Sequence, residues 1–173
     1  MTDAGRREVR RRKYLSLGVG ELVAAAVFAV VLPRLVGADS VRALWSVLIP
    51  LLVLLLHAGS YWLLARGWVE RGTMPSRIAT VYRGFRLVDA GLLLAGLVGV
   101  LLWWPGSGRS VVLVLAIWLF GVVEYVNYFV VRIAYPVRGW SRSVREWRSP
   151  RLVQDLNAAA APSARPGAGP PAS

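Results

Sequence analysis

The chain has 173 residues, is 56% hydrophobic with a mean hydropathy of +0.52, and yet carries a formal net charge of +12. That length suits one domain, and charge segregated from long apolar runs is the pattern of a membrane chain rather than a soluble one. With no cysteine and one histidine, His57, the chain holds no disulfide, thiolate metal site, Fe–S cluster or bis-histidine haem, and no metal or cofactor is expected.

Residues 1–13 contain Arg6, Arg7, Arg10, Arg11, Arg12 and Lys13 and read as a basic cytoplasmic N-terminus. Four apolar runs follow, at about 15–32, 43–65, 87–104 and 110–131, each near the roughly 20 residues that cross a bilayer as helix. Glu21 interrupts the first; Ser46, His57, Ser60 and Tyr61 the second; Asp89 the third; Glu124 and Asn127 the fourth. Gly37-Ala38-Asp39-Ser40 and Pro105-Gly106-Ser107-Gly108 supply turn residues for the two short connections. A longer central loop, 66–86, ends in an apolar stripe of Ile78, Val81, Tyr82 and Phe85 that leads into the third span.

Beyond the transmembrane domain, 14–136, the segment 137–157 reads as amphipathic and interfacial. Trp140, Val144 and Trp147 share one helical face, opposite Arg138, Arg142 and Arg145. Ser149-Pro150 can start a further short helix with Leu152, Val153 and Leu156. Residues 158–173 are Ala, Pro, Gly and Ser with one Arg, a composition too poor in varied apolar side chains to fold.

The expected fold is therefore all-α: an integral membrane four-helix bundle of two N-in helical hairpins with a cytoplasmic interfacial helix. Orientation follows the positive charges. The N-terminus, the central loop and the segment after the fourth span hold eighteen of the 21 basic residues, leaving Arg34, Arg42 and Arg109 for the other side. Both termini are thus expected in the cytoplasm, with Trp45, Trp103 and Trp104 near the outer boundary. Twenty of those 21 basic residues are Arg, and with so much Ala, Val, Leu and Gly this points to a GC-rich bacterial genome and its inner membrane. A rival reading takes the first span and Val36-Gly37-Ala38 as a secretory signal, whose cleavage would leave three spans.

Ionisable residues at membrane depth cost about 2.5–3.5 kcal/mol on insertion scales and are functional candidates by default. Glu21, His57 and Glu124 each lie eight or nine residues from the nearest inner-side charge, about 12–14 Å at 1.5 Å per residue, which predicts one ionisable layer in the inner half of the bilayer. Tyr61 shares the His57 face, and Asn127 and Tyr128 share the Glu124 face. Asp89, three residues past Arg86, is expected nearer the cytoplasm and paired with an arginine. Arg83, Arg86 and Arg132 at the inner mouth are candidates for anionic headgroup contact. Gly91, Ala95 and Gly99 form a small-residue stripe expected to pack helices, within the bundle or between protomers. Pro50 should kink the second span.

The two halves look related. Tyr14 precedes Glu21 by seven residues as Tyr82 precedes Asp89, and His57-Ala58-Gly59-Ser60-Tyr61-Trp62 aligns with Glu124-Tyr125-Val126-Asn127-Tyr128-Phe129, at offsets of 68 and 67. Parallel repeats of this kind occur in transporters, with sites at the repeat interface.

No nucleotide fingerprint, nucleophile elbow or zinc motif is present, and the arginines follow topology rather than a nucleic-acid surface. Three readings remain. The chain is a small transporter or lipid-handling protein with a polar intramembrane site; or a non-catalytic accessory subunit whose polar layer serves packing; or a membrane-embedded enzyme acting on lipid headgroups, which requires a His57–Glu124 pair beside an open groove. The expected partners are the bilayer, anionic headgroups, and a second copy or another membrane protein.

Overall fold

The computed structural model describes residues 3–68, 74–129 and 151–159. These residues form α1 (Asp3–Val31), α2 (Val41–Trp68), α3 (Ser76–Leu102), α4 (Gly108–Phe129) and the short α5 (Arg151–Ala158), with no strand among them. The first four helices are long and apolar enough to cross a membrane. The expected amphipathic helix of Trp140, Val144 and Trp147, together with Arg132 and the tail after residue 159, lies outside the described residues.

The helices run further than the apolar runs at one end. α1 is continuous from Asp3, so the basic segment from Asp3 to Lys13 and the first apolar run form one helix. Ala, Arg, Glu and Lys are strong helix formers, and Arg12 Nε reaches Glu8 Oε1 at 3.0 Å one turn away. Likewise α3 begins at Ser76, so the Tyr82 stripe belongs to the same rod as Asp89. At the opposite end, two 3-10 turns (Leu32–Leu35 and Ala38–Ser40) join α1 to α2. There too, Ser107 Oγ accepts the Ser110 backbone N–H and caps α4.

α2 is the most enclosed helix. It packs against α1, α3 and α4, and α3 also meets α4, whereas α1 and α4 are not closely packed on each other. Leu44, Val47, Leu48, Leu51 and Leu55 of α2 form a core with Ala25, Val100, Val114 and Ile117. A second core, toward the basic end, gathers Leu54, Tyr61, Trp68, Tyr82, Tyr128 and Phe129 with Leu152 and Leu156 of α5. Exposed Val23, Val27, Leu87, Leu94, Leu101, Val112 and Leu119 leave the outer faces apolar, as a lipid solvent demands.

The α2–α3 contact departs from the expected glycine stripe. Gly91 and Ala95 are exposed, and a Cβ on Gly91 would meet nothing within 4 Å. Within the chain the close approach uses Gly99 with Gly96 instead. Pro50 lacks the N–H that would bind the Ser46 carbonyl; α2 stays helical through it, and Gly96 lies against that freed carbonyl so tightly that a Cβ would come within 2.7 Å of its oxygen. Ser46 Oγ also donates to the Ala43 and Gly96 carbonyls, at 2.7 and 3.3 Å. Gly96→Ala should therefore force α3 off α2 and cost about 1–3 kcal/mol, read as a lower unfolding midpoint in detergent, while Gly91→Ala leaves the midpoint in place.

Candidate functional site

Toward the basic end the expected polar layer divides into three groups. The first joins α2 to α3. His57 Nδ1 lies 2.9 and 3.1 Å from the two carboxylate oxygens of Asp89, and the imidazole stacks on Phe85 with ring centroids 3.7 Å apart. Asp89 is fully enclosed, with a side-chain exposure of 0%. This overturns two expectations. Asp89 does not sit shallower than His57, because α3 continues ten residues before Arg86 and that arginine does not mark the helix entry. Its partner is the imidazole rather than Arg86, which is exposed. Ser60 and Tyr82 extend the group, their hydroxyls 3.0 Å apart and both directed at the His57 carbonyl.

Asp89 is fully enclosed in this pair, and the imidazole keeps 18% of its side chain exposed. Removing one member leaves an uncompensated buried charge, a loss of about 3–5 kcal/mol for His57→Ala. Replacing both with leucine should recover most of it. Thermal unfolding of the single and double variants checks this.

The second group is a cavity of about 370 Å³ bordered by α1, α2, α4 and α5. Glu21, Tyr61, Glu124, Asn127 and Tyr128, five of the six residues expected at the site, line it together with Trp62, Lys13, Leu17, Arg151 and Leu152. Tyr128 donates to the Glu21 carboxylate and accepts from Trp62 Nε1 at 3.4 Å. Asn127 hydrogen-bonds Glu124. Tyr14 covers Trp62 with centroids 5.2 Å apart. Neither glutamate has an ion-pair partner among the described residues. His57, the sixth expected residue, does not line this cavity, and the His57–Glu124 pair that the enzyme reading requires is not formed.

The third group seats α5. Asp155, buried at 8% exposure, accepts from Tyr61 OH at 2.9 Å and Trp68 Nε1 at 3.1 Å, and Arg151 Nε lies 3.3 Å from its other oxygen. Arg83, a headgroup candidate, donates from Nη2 to the Leu156 carbonyl at 3.0 Å and so also holds α5. Asp155 carries no sequence signal. It lies on a short polar helix and meets Tyr61 across 94 positions. Trp62 was legible only as an aromatic beside Tyr61.

The site thus offers two carboxylates inside an aromatic-walled cleft, with Lys13 exposed at its border. Among the described residues no cluster of three or more metal-ligating side chains occurs. Comparison with protein-family models, characterised proteins and solved structures returns no significant match.

Proposed function

We propose that the chain is a small carrier of a bacterial inner membrane, with both termini cytoplasmic, whose Glu21–Glu124 cavity takes an organic ammonium ion. One observation carries this reading: two acids face the same 370 Å³ cavity with no base paired to either among the described residues. An acid at membrane depth requires a counter-charge or a proton. At α2–α3 the counter-charge is built in as His57. Under the 68- and 67-residue offsets, Asp89 corresponds to Glu21 and His57 to Glu124, so the corresponding place opposite Glu21 holds a second acid. A cation from outside would complete the set.

The size and walls favour an organic cation. About 300–1,000 Å³ is the usual range of small-molecule pockets. Trp62 and Tyr128 would add cation–π attraction of about 0.5–2 kcal/mol. Alternating access would proceed by movement of α1 against α4, the pair left loosely packed. Lys13, Arg86 and Arg132 would contact anionic headgroups, and the exposed Gly91–Ala95 surface offers a seat for a second copy.

The accessory-subunit reading gains support from the His57–Asp89 pair, which joins α2 to α3 directly. The two readings separate by calorimetry on the protein in nanodiscs. Benzyltrimethylammonium should bind, and its uncharged carbon isostere and benzoate should not. Equal heats for all three, or none, would favour the accessory role.

A further inference from the structure

We infer that α5 is a gate on this cavity and that Asp155 is its latch. This rests on the cavity reading for its purpose, and on the contacts of α5 for its existence.

An isolated helix of eight residues is not stable in water, so Arg151–Ala158 is helical because it is docked. The seat is small. Leu152 and Leu156 enter the core beside Leu54, Tyr82 and Phe129, while Arg151, Asn157 and Ala158 remain exposed. The polar hold converges on one carboxylate, which takes Tyr61 OH and Trp68 Nε1 on a single oxygen, and on one carbonyl, that of Leu156, held by Arg83. Few contacts of this kind define an element that opens locally at lower free energy than the long helices.

What α5 covers gives the opening its consequence. Every other lining residue of the cavity comes from α1, α2 or α4, and α5 alone adds Arg151 and Leu152. Undocking removes that part of the wall at the end where Lys13 lies. Tyr61 connects latch and site, since it lines the cavity and donates its one hydroxyl proton to Asp155. Tyr61 itself is fully enclosed and packs edge-on against Trp62 with ring centroids 5.0 Å apart, so a cation resting on Trp62 in the cavity fixes that ring and, through it, the position of the Tyr61 hydroxyl. A bound cation therefore tightens the latch and holds the gate shut over itself.

The absence of native cysteines allows a clean reporter. Cys introduced by Asn127→Cys should react slowly with a trimethylammonium-ethyl thiosulfonate in nanodiscs. Adding Asp155→Ala should speed labelling about tenfold, the worth of the charge-assisted bonds removed. Leu156→Asp should do the same by a different route, leaving the Tyr61 bond partner in place. In the unmodified protein, hydrogen exchange over 151–158 should be at least about 100-fold faster than in α2. Benzyltrimethylammonium should slow both readouts. Labelling unchanged in both folded variants, or α5 amides protected as long as those of α2, would overturn the gate. If labelling rises as expected but the cation alters neither readout, the gate stands and its coupling to the ligand, with the cation reading, falls.

Discussion

Glu124→Gln and Glu21→Gln should each abolish accumulation of an organic ammonium ion in proteoliposomes, without lowering the amount of folded protein. Both changes keep the shape of the side chain and its capacity to hydrogen-bond. The amide introduced by Glu21→Gln can still accept from Tyr128, and the amide introduced by Glu124→Gln can still meet Asn127. What is lost is the negative charge. Truncating one partner of a buried charge pair costs about 2–5 kcal/mol, so binding should weaken at least about 30-fold. Stability should be unchanged or slightly higher, since a buried acid with no built-in base is itself a cost. Contrast His57→Ala, which should lower stability because it orphans Asp89. The two halves of the polar layer are therefore separated by opposite signatures: binding without stability at Glu21 and Glu124, and stability at His57 and Asp89. If Glu124→Gln destabilised the fold as His57→Ala does, the acidic pair would be a packing element.

Glu124→His should close the cavity. The substitution installs at the α1–α4 position the residue type that α2 presents to Asp89. An imidazole facing the Glu21 carboxylate would supply from within the counter-charge that the proposed cation brings from outside. The expected result is loss of cation binding together with a gain of about 1 kcal/mol, or about 2–4 °C in the unfolding midpoint for a chain of this size. Glu124→Gln shares the first effect without a gain from pairing. A histidine variant that still bound the ammonium ion as tightly as the parent protein would show that charge at this position does not govern the site.

Much of the fold was legible because a bilayer imposes a length and a polarity that composition cannot hide. The four spans follow from apolar runs near 20 residues, and the polar layer follows from counting 1.5 Å per residue from the nearest charge. Which member of the layer meets which was not legible. Helix rotation depends on packing between residues tens of positions apart, and Ser46 with Pro50 decides that α3 presents Gly96 rather than Gly91. That choice of face carries Asp89, seven residues earlier, onto His57. Depth was misjudged at Asp89 because Arg86 looked like a helix entry and is a mid-helix residue. Asp155 stayed hidden because a short helix gains its meaning from its seat, and its partners Tyr61 and Trp68 lie 94 and 87 positions away.

Ligand-induced difference infrared spectroscopy examines the two acids themselves. When benzyltrimethylammonium is perfused over the protein in lipid, carboxyl and carboxylate bands should change, and those changes should shrink in each single glutamine variant and vanish in the double variant. Bands that stay still on addition of the cation, or that persist once both Glu21 and Glu124 are glutamine, would contradict a cation held between them.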